Sequence, residues 1–301
     1  MTFSLSDIPD QTRRVAIVTG GTAGLGLQSV IVFTARSPAR GQEALDKVQA
    51  ALAPASFKVE FAIAENEDLT SIVRFADWFI ARNLPLHVLL LNAGGGLAPY
   101  RAIHGVDSAL FINHVAHHLL ATRLLSVLER SAPSRVVVIS SLAHSGVKTL
   151  DLDLPEKDQY DTVKAYGISK TAQLLMARGL MQQVGSAKVF VNSLHPGMVV
   201  TEVINRPIEF PHLPWFLRSI AVSLFKIVTK LFGTTPAKGV LTHMYVATSP
   251  DIENNDWRGQ YFSPVAKLDK SSPLSENQDE VERLWKWTTA VIDRVLAESK
   301  I

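Results

Sequence analysis

Tyr166 and Lys170 stand four residues apart in a segment with helical patterning, so their side chains share one face. A phenol ionises near pH 10, too high for base work at neutral pH. An ammonium one helical turn away favours the phenolate and is expected to lower that pKa. The pair therefore reads as a proton-transfer set. A second Tyr-x-x-x-Lys occurs at Tyr160 and Lys164, in a polar stretch with Asp151, Asp153, Glu156, Asp158 and Asp161. That stretch reads as loop, and the spacing there as chance. Tyr166 instead leads into the apolar helix Ala172–Leu180.

The other feature with chemistry in it is Thr19-Gly20-Gly21-Thr22-Ala23-Gly24-Leu25-Gly26, directly after the apolar run Val15–Val18. Glycines there let backbone approach a pyrophosphate, and a helix starting there aims N–H groups at it. The elements that must position these groups can be read from periodicity. Val15–Val18, Val30–Phe33, His87–Leu91 and Val136–Ile139 are continuous apolar runs of the kind buried on both faces of a parallel sheet. Val59–Phe61 and Val189–Val191 fit as two more strands. Helical segments lie at Arg40–Leu52, Asp68–Ala81, Val106–Arg130 and Thr162–Val184, with Pro54, Pro85 and Pro133 between helices and strands. The fold class is α/β, a doubly wound parallel sheet of Rossmann type. Residues 1–13 read as an N-terminal extension and 14–301 as a single domain.

These motifs, with Leu91-Asn92-Ala93-Gly94, Ile112-Asn113-His114, Ile139-Ser140-Ser141-Leu142-Ala143-His144 and His195-Pro196-Gly197-Met198-Val199-Val200-Thr201, resemble the short-chain dehydrogenase/reductase family. Within it they look like the retinol-dehydrogenase-like and WW-domain-oxidoreductase-like members. The resemblance implies hydride transfer between a nicotinamide and an apolar carbonyl or alcohol. It implies that Gly20, Thr22, Gly24, Leu25 and Gly26 cradle the pyrophosphate, and that Tyr166 moves the proton. Lys170 would also hold the nicotinamide ribose, Ser141 rather than Ser140 would polarise the substrate oxygen, and Asn113 would order a water leading to Lys170. The turn of Pro196, Gly197, Val199 and Thr201 would hold the carboxamide. Asn92, Ala93 and Gly94 would sit under the adenosine side, and Gly95-Gly96 is expected to loosen that loop. Glu65 stands where the family places an Asp against adenine.

At the end of the second strand an acidic residue selects NAD and a basic one suits a 2′-phosphate. Here stand Arg36 and Arg40, with no acid before Glu43, which favours NADP(H) over NAD(H). One segment departs from the family pattern. Only Leu27, Gln28 and Ser29 separate Gly26 from Val30, whereas a parallel crossover takes about a dozen residues. The first crossover helix is expected to be truncated. A non-catalytic cofactor-binding relative is the alternative that this shortness motivates.

The chain has 301 residues, 47% hydrophobic and 19% charged, with a net charge of +2. So small a charge gives no reason for a nucleic-acid partner. The absence of cysteine excludes thiolate chemistry and disulfides. No apolar run is expected to act as signal peptide or membrane span, so a cytoplasmic protein is expected. His114, His117 and His118 lack a carboxylate partner at ligand spacing and read as helix packing or surface, with no metal. Within 202–234, residues 215–232 form a basic amphipathic helix: Arg218, Lys226 and Lys230 gather on one side, Phe216, Leu217, Ile220 and Leu224 on the other. That segment reads as a lid over the substrate or as a contact with an intracellular membrane. Glu280–Glu298, carrying Trp285 and Trp287, is expected to pack on the domain or on a partner subunit, which admits a homodimer.

Overall fold

The structure is a computed structural model that describes residues 3–20, 30–52, 58–185, 187–197 and 236–299. Its strands are β1 (Val15–Val18), β2 (Val30–Ala35), β3 (Val59–Ile63), β4 (Val88–Leu91), β5 (Ala102–Ile103), β6 (Val106–Asp107), β7 (Ser134–Ile139), β8 (Val189–Leu194), β9 (Tyr261–Ser263) and β10 (Lys267–Asp269). β5 and β6 form a separate small hairpin. The others make an eight-stranded sheet in the order β10-β9-β8-β7-β4-β1-β2-β3. Every neighbour pair in it is parallel except β9 with β10.

The apolar strand runs are explained by alternation. Val15, Ile17, Leu89, Leu91, Val136, Val138, Val189 and Val191 enter one core cluster. Ala16, Val18, Val88, Leu90, Val137, Ile139, Phe190 and Leu194 enter a second. Successive side chains point to opposite faces, so a strand covered on both sides is apolar at every position. The first core is closed by helices α2 (Leu69–Ala81), α4 (Ala116–Arg130), α5 (Thr162–Gln183) and α9 (Gln278–Glu298). The second is closed by α1 (Pro38–Leu52), α6 (Pro236–Thr248) and α7 (Asp251–Asn254). The short α8 (Pro273–Glu276) precedes α9.

The helix expected over Val106–Arg130 runs from Ser108 to Arg130 and contains a π-helical turn. Val106–Asp107 belongs to β6, and the Asp107 carboxylate accepts from the N–H groups of Ala109 and Leu110 to start α3 (Ser108–Leu110). A π-helical turn over Phe111–Val115 then carries Asn113 and His114 into α4. The C-terminal helix packs on its own chain. Trp285 lies 4.3 Å from the His118 ring, and Thr288 bonds His114.

The glycine loop beyond Gly20, the expected truncated crossover at 21–29, and the segment 202–234 with its amphipathic stretch 215–232 lie outside the described residues. Among the described residues no helix is long and apolar enough to cross a membrane.

Candidate active site

The sheet order reverses between β1 and β4, and the C-terminal ends of β1, β4, β7 and β8 come level through the pairs Val18–Leu90, Leu91–Val138 and Ile139–Leu194. Ligands of open α/β sheets bind in the crevice beyond such ends, at the reversal. The residues just past these ends are Thr19 and Gly20, Asn92–Gly94, Ser140 and Ser141, and His195–Gly197.

Thr19 ties the first two together. Its Oγ1 accepts from the N–H groups of Asn92 and Ala93, both at 2.9 Å, while Asn92 Nδ2 donates to the Thr19 carbonyl at 3.2 Å. Gly20 has φ +62, and a Cβ there would stand 2.9 Å from Ala93 Cα. Only glycine lets the two loops meet so closely. Gly94 is constrained too: a Cβ would stand 2.8 Å from Asn113 Oδ1 and 3.8 Å from Lys170 Nζ. The two glycines thus bring bare backbone to both sides of the crevice, the close approach that a dinucleotide site needs.

Gly95 is not loosened, contrary to expectation. Its N–H donates to Asn113 Oδ1 at 2.8 Å and its carbonyl accepts from Asn113 Nδ2 at 3.2 Å. Asn113 also bonds Ser169 Oγ at 2.9 Å. The Asn113 side chain, fully buried, thus pins the loop after β4 to α5.

On the other side of the crevice, Ser140 and Ser141 part company. Ser140 is buried and donates to the Lys170 carbonyl at 2.8 Å. Ser141 is half-buried, caps the turn Leu142–Gly146 and accepts from Ala143 N at 3.3 Å. The Tyr166 phenol is pushed up by burial, and hydrogen bonding with the Ser141 side chain counters this. Lys170 Nζ lies 5.7 Å from the centre of the Tyr166 ring. Burial pushes the Lys170 ammonium down to about 7. The expected lowering of the Tyr166 pKa is therefore corrected: burial raises the phenol, and the influence that counters it is the Ser141 hydrogen bond rather than the Lys170 ammonium.

Tyr160 is buried and donates to the Ala98 carbonyl at 3.4 Å, while Lys164 pairs with Asp151 at 3.4 Å. Burial and the Asp107 carboxylate push the Tyr160 phenol up. Tyr160 lies in a loop, as expected, yet is buried there, and its helical neighbour Lys164 is engaged with Asp151.

Along the sheet toward β3, Arg36 and Arg40 are exposed at the exit of β2 and the start of α1. Glu65 is half-buried past β3, and Asn66 anchors that turn by donating to the Ile112 carbonyl at 2.9 Å. Arg101 grips Glu67 through two bonds of 2.6 and 2.7 Å, and the charge of Arg36 also reaches Glu67. At the far end Gly197 donates to His195 Nδ1 at 3.1 Å, next to Pro196. Thr22, Gly24, Leu25, Gly26, Val199 and Thr201 lie outside the described residues.

His114, His117 and His118 are all buried, as helix packing, and among the described residues no group of side chains is arranged to hold a metal ion. Sequence reasoning missed Thr19, His117 and Gln173 as a linked set. The available signal was a glutamine one turn after Lys170, on the face that already carries Tyr166, Ser169 and Lys170.

The short chain dehydrogenase family profile matches residues 14–209. Polyprenol dehydrogenase of Danio rerio is 34% identical over 96% of this chain and 90% of its own length. The chain belongs to the short-chain dehydrogenase family. Retinol dehydrogenase 12 of Mus musculus is 29% identical over 90% of this chain and 84% of its own. Among solved structures, an NADPH-bound short chain oxidoreductase from Pseudomonas aeruginosa PAO1 superposes with TM-score 0.60 at 17% identity, covering 88% of this chain and 100% of that one. Membership makes this chain an oxidoreductase of NAD(P)(H) and small carbonyl or alcohol substrates, in the retinol-dehydrogenase-like branch that its motifs resemble.

Proposed function

We propose that this chain interconverts an apolar alcohol and its carbonyl compound with NADP(H), and that Tyr166 moves the proton. The observation that supports this most is the meeting of Ser141, Tyr166 and Lys170 beside the Asn92–Gly94 loop at the sheet reversal. The nicotinamide, when bound, supplies or accepts the hydride. Ser141 orients the substrate oxygen with its hydroxyl. Tyr166, held protonated by burial, gives its proton to that oxygen in reduction and takes it back in oxidation. Lys170 steadies the phenolate formed in between and binds the nicotinamide ribose.

Gly20, Thr22, Gly24, Leu25 and Gly26 are the pyrophosphate cradle, and Asn92, Ala93 and Gly94 the adenosine wall. Arg36 and Arg40 bind the 2′-phosphate and Glu65 the adenine, while Pro196, Gly197, Val199 and Thr201 hold the carboxamide. Asn113 fixes the loop after β4. The names of the relatives, a polyprenol and a retinol dehydrogenase, support an isoprenoid-like substrate. Residues 215–232 cover that substrate or rest on a membrane that contains it.

The test is turnover of a panel of isoprenoid alcohols and aldehydes by wild type and Tyr166→Phe, alongside an NADPH fluorescence titration. Tyr166→Phe is expected to bind NADPH normally and to lose turnover; retained turnover refutes its role. Vesicle flotation of a Lys226→Glu, Lys230→Glu variant separates the lid from the membrane contact.

A further inference from the structure

Lys170 is held by the next turn of its own helix and by the end of β7. Its Nζ donates to Gln173 Oε1 at 2.8 Å and to the Ile139 carbonyl at 3.1 Å. With its oxygen facing the ammonium, Gln173 presents its amide nitrogen to His117 Nδ1 at 3.4 Å. An amide nitrogen only donates, so toward Gln173 Nδ1 accepts in the tautomer that carries its proton on Nε2, and the ring also lies within reach of the Asn113 backbone carbonyl. Nε2 lies 3.1 Å from Thr19 Oγ1, the atom that gathers the N–H groups of Asn92 and Ala93. Thr19, His117, Gln173 and Lys170 are 1, 0, 0 and 5% exposed. A glutamine and a histidine sealed from water are costly where apolar side chains would fill the space, unless their hydrogen bonds are needed.

We propose that Gln173 and His117 are positioning residues that hold the Lys170 ammonium at the cofactor seat and tie it to Thr19, at the root of the glycine loop. Gln173 sets a carbonyl dipole against the ammonium. His117 fixes Gln173 by accepting from its amide. Two of the three Lys170 N–H groups are engaged in this way and the third is left for a ribose hydroxyl. The proposal rests on the reading of Lys170 as the lysine of the proton-transfer set, yet its test needs no cofactor. The titratable side chains facing Lys170 among the described residues are Tyr166 on α5 and His117 on α4. β7 contributes the Ile139 carbonyl and the Ser140 hydroxyl, and the loop after β4 brings Gly94.

The experiment is a pH titration of 13Cε-lysine resonances in cofactor-free protein, with Lys170 assigned by the Lys170→Arg variant. Gln173→Met keeps the volume and removes the acceptor; the Lys170 midpoint is expected to fall by about one pH unit. Gln173→Glu is expected to raise it above wild type. His117→Leu is expected to lower it, and His117→Asn, whose amide can take the place of Nδ1, to restore it. Equal midpoints in wild type and a folded Gln173→Met overturn the proposal. Should Gln173→Met not fold, a Gln173→Glu midpoint at or below wild type overturns it equally. Lack of saturable NADPH binding would instead refute the function proposed above and leave this titration untouched.

Discussion

His114 Nε2 and Thr288 Oγ1 meet at 2.7 Å across 174 residues of chain, and both side chains are fully buried. Thr288 gives its one proton to the Leu284 carbonyl at 2.7 Å, so the imidazole is the donor between them. The bond fastens α9 to the π-helical turn that also carries Asn113. Thr288→Val keeps the shape and leaves the His114 N–H without a partner. It is expected to cost about 1–3 kcal/mol in urea unfolding, with Thr288→Ser recovering most of it. A Thr288→Val midpoint equal to wild type would show the bond to be idle.

Buried histidines set the acid limit of the fold. Burial pushes His117 down to about 3, and His118 and His243 each to about 4. Burial also pushes His114 well below its ordinary value. The unfolded chain takes up protons near pH 6.5 while these rings stay neutral in the fold. Stability is therefore full above pH 6.5 and falls as pH drops toward 4, by about 1.4 kcal/mol per pH unit for each ring. Urea midpoints at pH 7, 6 and 5 check this; a flat series would contradict it.

The adjacent serines are expected to fail differently. Ser141→Ala should lower kcat by about a hundredfold or more and leave the urea midpoint nearly unchanged. Ser140→Ala removes the bond to the Lys170 carbonyl and should lower the unfolding free energy by about 1 kcal/mol. Steady-state kinetics and unfolding of the two proteins decide the matter.

Cofactor choice is expected to follow Arg36. Arg36→Leu should weaken NADPH binding by roughly tenfold or more, through loss of a charge-assisted contact, with little change for NADH. Equal losses for both cofactors would remove Arg36 from the 2′-phosphate.

Gly94→Ala would drive a methyl group into Asn113 Oδ1. Displacement of Asn113 frees Gly95, so both thermal stability and NADPH affinity should fall. Asn113→Ser alone, which gives up both bonds to Gly95, should lower the melting temperature and NADPH affinity in the same direction, and wild-type values in either variant would show the pin to be idle.

The sheet could be read from the sequence because continuous runs such as Val15–Val18 and Val136–Ile139 answer to one physical demand, cover on both faces. The pairing of Tyr166 with Lys170 on one face followed from helical spacing alone. The direction of the Tyr166 shift did not, because it depends on how much water α5, β7 and the turn after Ser141 exclude together. Nor did the restraint on Gly95, which comes from Asn113, a residue 18 positions away. The start of the helix expected over Val106–Arg130, two residues later at Ser108, turned on the Asp107 carboxylate, which caps backbone N–H groups instead of lying within the helix. The burial of Tyr160 within its loop was not legible either, because it involves the Ala98 carbonyl 62 positions away.

The alternation of β1 between two cores has a consequence for where Thr19 lands. Ile17 and Val18 are claimed by opposite layers. A slip of β1 by one residue would exchange the occupants of both layers and carry the Thr19 hydroxyl away from the amides it gathers. Packing deep in the molecule thereby acts as a ruler, setting the depth at which the chain leaves the sheet.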